Sequence, residues 1–236
     1  MRRLFDVPVL DLAGNLPAQP EIYPDYRAPI IRQREGGQPH NGDQQREGEQ
    51  QRVGEQPHEG GQQREGGQPH YGGQPHDGGR ELTMARWGMP TPPQYLVGKR
   101  TDRGVTNIRN TQSPHWRRWL GPENRCLVPF TRFSEPDSRR SDRGVIWFQT
   151  PDDMPAFFAG IWTRWTSVRK LAEGETTDDL FGFLTTDPNG DVAPAHPKAM
   201  PVILTTPQAW DIWLHAPWTE ARGLQRPLPA GILTVV

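Results

Sequence analysis

Short apolar runs, some continuous and some alternating with polar residues, recur along the chain and are bounded by Gly, Pro, Asp and Asn. That pattern predicts strands. RAPIIR (27–32) and ELTMARWGM (81–89) predict two of them on either side of a long polar stretch. RCLVPFTRF (125–133), GVIWFQT (144–150), AFFAGIWTRW (156–165), LFGFLTT (180–186) and PVILT (201–205) predict more, all rich in aromatic and β-branched residues. A helical period is found in two places. SPHWRRWLG (113–121) carries Ser113 as N-cap, Pro114 in the first turn and Gly121 beyond the end. PQAWDIWLHA (207–216) puts Trp210, Trp213 and Leu214 on one face. DPNG (187–190) is a turn signal. Many short strands with a few helices predict an α+β fold around a curled, mostly antiparallel, barrel-like sheet. The length, 236 residues, suits one domain spanning 1–236.

Between Gly36 and Asp77 the pattern changes to seven uninterrupted hexads of the type GGQPHN and GEQQRV. A six-residue period can build a β-helix, but that fold needs an aliphatic residue in every repeat, and only Val53 qualifies. The insert 36–77 is therefore expected to be disordered, a lengthened hairpin loop between the strands at 27–32 and 81–89. His40, His58, His70 and His76 recur in it, but flexible glycine-rich spacing makes ordering metal ligands costly, and no metal site is expected. The insert holds three arginines against seven acidic residues, so the rest of the chain stands at +3 although the whole is at −1. Between Arg86 and Arg143, twelve Lys/Arg face five Asp/Glu. A basic excess interleaved with tryptophan suits a nucleic-acid groove, with cations on phosphates and indoles on bases, and equally suits a solvated basic surface.

No apolar run approaches a membrane span, and the start MRRLFDVPVLDLAG lacks a signal-peptide pattern, so a cytoplasmic, nucleoid-associated monomer is expected. The one cysteine, Cys126, excludes a disulfide framework within the chain and reads as a buried small hydrophobe.

Four stretches set polar or charged side chains beside apolar strands: WGMP (87–90), TNIRN (106–110), VPFTRFSEP (128–136) and APAHPKAMPVIL (193–204). Each has an ordinary structural reading: Asn107 closing a turn, Glu135 pairing with an arginine, His196 as a satisfied loop histidine, Trp87 as a core aromatic. In their order and surroundings, however, they resemble the SOS-response-associated peptidase family, with its WG-x-x-P, Asn-x-Arg, R-C-L-V-P followed by F-x-E, and histidine before M-P-V-I-L. The resemblance covers nearly all of the chain outside the hexads.

The resemblance implies a DNA-repair protein that binds single-stranded DNA and forms a covalent thiazolidine crosslink at abasic sites. Its peptidase label would describe removal of its own initiator methionine. Asn107, Glu135 and His196 fall on the family's catalytic positions, and Arg109 completes the Asn-x-Arg pair. Arg86, Trp87, Arg109 and Lys198 are expected on the DNA, with Trp87 as a stacking platform and Lys198 as a point charge for phosphate. No cofactor is implied. The family's nucleophile is an N-terminal cysteine, whose α-amine and thiol both react; position 2 here is Arg2. A start upstream of Met1 is the expected source of that cysteine. The alternatives are a catalytically inactive relative that still holds single-stranded DNA, and an interaction module working through the hexads.

Overall fold

The computed structural model describes residues 9–15, 19, 21–34, 79–142 and 144–236; the hexads, and with them the expected disorder and the four histidines, lie outside the described residues. The described strands are β1 (Val9–Asp11), β2 (Arg27–Gln33), β3 (Arg80–Trp87), β4 (Asn107–Ile108), β5 (Arg125–Pro129), β6 (Arg132–Pro136), β7 (Val145–Gln149), β8 (Phe157–Val168), β9 (Glu175–Thr186), β10 (Met200–Pro201), β11 (Ile203–Leu204) and β12 (Thr234–Val235). The helices are α1 (Pro114–Arg117), α2 (Pro207–His215) and α3 (Trp218–Ala221).

The main sheet closes on itself. β3 pairs with β2, β2 with β5, β5 with β8 and β8 with β9, all antiparallel, and β9 returns to β3 in a short parallel pairing at Arg86↔Leu180 and Trp87↔Phe181. The result is the small curled barrel of an α+β fold, with β1, β4, β10 and β11 added at its margins. A separate sheet orders β12, β7 and β6.

The period of two along these strands divides the core. Ile31, Leu127, Ile161 and Leu180 point to one side, packing with Trp210, Trp213 and Leu214 of α2. Ile30, Cys126, Phe158 and Phe181, from the alternate positions, point to the other. Both faces are buried, so the strands read as continuous apolar runs instead of alternating ones. Helix α2 starts where Pro207 and the Thr206 cap predict, with the Thr206 hydroxyl accepting from the Ala209 amide at 3.2 Å. Trp213 locks it to the barrel, its indole N–H donating to the carbonyls of Cys126 (3.0 Å) and Gly160 (3.1 Å). Among the described residues, no helix is long and apolar enough to cross a membrane.

Three expected elements differ. The run 125–133 splits into β5 and β6, because Pro129 has no amide to continue the ladder and β6 leaves the barrel to pair with β7. The run 201–205 divides between β10 on β9 and β11 on β8, with Val202 bonded to both neighbours through Leu184 and Ala159. The helix at 113–121 is a single turn, and Ser113 caps it through its backbone carbonyl and not its hydroxyl.

Candidate active site

The pair at the centre is built by two elements far apart in sequence. Glu135 sits on β6, where it opposes Ile146 of β7, and shares a strand face with Phe133 two positions earlier. Phe133 is anchored in the core against Phe148 (5.4 Å) and Phe158 (5.8 Å), so the strand cannot rotate to take Glu135 into solvent. His196 lies at the end of a chain of turns after β9, its amide bonded to the Val192 carbonyl at 2.8 Å. The His196 Nε2 is 3.8 Å from the Glu135 Oε2, and both side chains are largely buried. Burial pushes the Glu135 carboxyl up to about 7, so it exchanges its proton near neutral pH. A carboxylic acid so poised, beside an imidazole, can give a proton to a leaving hydroxyl and take one back.

The loop bearing His196 is organised by a residue the sequence reading passed over. Asn189 is buried; its carbonyl oxygen accepts from the amides of Asp191 and Val192, both at 3.1 Å, and its amide group donates to the Leu228 carbonyl at 3.1 Å. Ser138 ties the same loop to the β6–β7 connection, donating through both its amide (2.8 Å) and its hydroxyl (2.7 Å) to the Ala195 carbonyl. The Asn of DPNG, an Asx-type turn residue, was the available signal for Asn189; nothing local marks Ser138.

Trp87 and Asn107 come together on β9. Trp87 stacks on Phe183 (5.3 Å between centroids), and its indole donates to the Thr106 carbonyl at 3.3 Å. Asn107 is exposed, on β4, where it pairs with the same Phe183. From Phe183 a ladder of rings continues through Phe158 (4.7 Å) to Phe133, next but one to Glu135. The two halves of the site therefore share one aromatic floor. Trp87 serves as part of that floor while remaining only partly buried.

The expected phosphate contacts separate. Arg109 is half-exposed, pairs with Asp187 and lines a polar groove with Thr185 and Gln225. Lys198 is exposed between His196 and β10. Arg86 is elsewhere: it is buried, with its guanidinium held by Asp25 (2.6 and 2.8 Å), Glu173 (2.9 Å) and Asp178 (3.4 Å). A guanidinium engaged by three carboxylates has little left for a phosphate. Cys126 is fully buried and burial pushes its thiol up, which removes it as a nucleophile. Among the described residues, no group of three or more His, Cys, Asp or Glu side chains is placed to hold a metal ion.

Residues 2–235 match the model of a family described as SOS response associated peptidase. No curated protein matches the chain. Among solved structures, a protein from Bordetella bronchiseptica is 24% identical with a TM-score of 0.60, the match covering 100% of this chain and 92% of that one. A protein from Bacteroides thetaiotaomicron is 22% identical with a TM-score of 0.53, covering 66% and 68% respectively. At these identities the two structures speak for the fold alone.

Proposed function

The chain belongs to the SOS response associated peptidase family, whose general role is abasic-site processing, and from that premise we propose that its site captures abasic sites in single-stranded DNA. The observation that carries this reading is the largely buried Glu135 standing 3.8 Å from His196 with its carboxyl poised near 7. Covalent capture of a ring-opened abasic sugar needs a group that moves protons at neutral pH without itself becoming the nucleophile. A free amine attacks the C1′ aldehyde carbon to give a carbinolamine. Glu135 in its acid form protonates the hydroxyl, which leaves as water to give an iminium; the thiolate then adds to the iminium carbon, closing a thiazolidine whose nitrogen keeps its hydrogen, and the proton released by the thiol returns the Glu135 carboxylate to its acid form. His196 exchanges protons with the sugar oxygen. Asn107 holds the sugar or amine by uncharged hydrogen bonds, Trp87 offers a ring face, and Arg109 and Lys198 meet flanking phosphates.

The amine and thiol are assigned to an N-terminal cysteine supplied by a start upstream of Met1, because Cys126 is buried and has no adjacent amine. That start, followed by removal of its own methionine, is the form in which the family's peptidase activity would act. The burial of the only cysteine in the sequence also favours a second reading, a relative that grips abasic single strands without bonding to them.

Both readings require recognition of the lesion. Fluorescence anisotropy should show the chain binding a single strand with a tetrahydrofuran abasic analogue about tenfold tighter than the intact strand, the scale of one or two good hydrogen bonds made only to the lesion. Equal affinities would remove the lesion from the account.

A further inference from the structure

Arg169, immediately after β8, is a buried cation whose side chain is only 1% exposed. Its Nη1 donates to the carbonyl of Gly88 at 3.1 Å and its Nη2 to the carbonyl of Arg103 at 3.2 Å. These carbonyls belong to two different loops, the one leaving β3 and the one entering β4. The loops are bridged between Met89 and Val105 by amide–carbonyl bonds of 2.9 and 2.8 Å. At the far side of the bridge, Asp102 accepts from the amides of Thr91 (3.0 Å) and Gly104 (2.7 Å). Arg169 is thus one end of a frame in which two loops are fixed against each other.

The two glycines of that frame have a shared reason to be there. Gly88 (φ +139) and Gly104 (φ +77) both adopt backbone conformations that L side chains resist, and a Cβ on either would stand 2.3 or 2.5 Å from Arg169 Nη2. They leave the room that one guanidinium fills. The charge is met by Asp25, whose carboxylate lies 3.3 Å from Arg169 Nε and also takes Arg86 and Lys170. Burial pushes the Asp25 carboxyl up, but hydrogen bonds from Arg86, Lys170 and Arg169 hold it well below the ordinary carboxylate range.

Directly beyond this frame lie the residues of the candidate site: Trp87 precedes Gly88, its indole bonds to Thr106, and Asn107 follows. We infer that Arg169 is a positioning residue, fixing the two loops in the register that sets Trp87 and Asn107 on the aromatic floor for the abasic sugar. This rests on the reading of the site given above. A planar fork reaches two carbonyls and a carboxylate at once, and a lysine ammonium on a shorter reach cannot.

The test uses the full chain with Arg169→Lys, which keeps a cation opposite Asp25 so that folding survives, and separately Gly88→Ala, which drives the guanidinium out. Amide hydrogen exchange should show protection at Met89 and Val105 falling about tenfold or more in both variants, with Ile161 and Leu180 on β8 and β9 unchanged. Preference for the tetrahydrofuran strand over the intact strand should fall about fivefold or more, while intact-strand affinity stays within about twofold. A loss of protection spread evenly over β8, β9 and the loops would mark Arg169 as a general stabiliser, and unchanged loop protection would remove the frame; either overturns the inference. If the unsubstituted chain shows no preference for the lesion, the site reading falls, and the loop amides alone then decide whether the frame exists.

Discussion

Glu135 carries the most specific chemistry of any single residue. Its carboxyl is raised from the ordinary 4.5 to about 7 by burial, so the folded protein binds a proton there that the unfolded chain has already released. Stability from this group is fully present below pH 4.5 and is lost as pH rises through about 7, since the charged form is penalised only when folded. Glu135→Gln removes the penalty. Urea unfolding should find the variant close to wild type at pH 4.5 and more stable at pH 8 by up to about 3 kcal/mol. In a form of the protein that begins with Met-Cys, the same substitution should slow adduct formation by about 10²-fold. A stability difference independent of pH would show that the carboxyl is not perturbed. The sequence pointed to Glu135 and His196 through the order of short motifs, but not to their contact, because 3.8 Å in space joins a strand of one sheet to the turns that follow a strand of the other. Arg86 shows the opposite case. Beside Trp87 in a basic stretch it reads as a phosphate ligand, while the carboxylates that claim it, Asp25, Glu173 and Asp178, lie far away along the chain.

Strand existence was legible in the apolar runs because branched and aromatic residues mark β structure whichever face they serve. Strand ends were less so. The break at Pro129 is visible as a proline, but its meaning, a change of sheet, depends on β8 being unable to extend the ladder past Phe157. β4 has only Asn107 and Ile108 and owes its pairing to β9, which no local pattern reveals. The hairpin of β2 and β3 was predicted across the hexads, and its seven paired positions close with the Arg34 amide on the Gly79 carbonyl at 2.8 Å. With its ends already held, the hairpin should not need what lies between. Replacing 36–77 with a short turn shortens the loop about tenfold and should add up to ~2 kcal/mol through loop closure. Calorimetry should find the melting temperature unchanged or raised by a few degrees; a clear fall would mean that the hexads contribute packing.

At the scale of the whole molecule, closure of the barrel by β9 on β3 brings Trp87 beside Phe181 and Phe183, and so joins the first half of the site to the second. Family membership follows from the match over residues 2–235, and the chemistry proposed for it depends on a nucleophile with both an amine and a thiol. The most direct measurement is a denaturing gel of an abasic single-stranded oligonucleotide with two forms of the protein, the chain beginning at Met1 and a form extended at its N-terminus to begin with Met-Cys. The account predicts a retarded band, stable to heat and hydroxylamine, from the second form only, abolished when that cysteine is changed to alanine. No such band from the cysteine-started form, or the same band from the chain beginning at Met1, would contradict it.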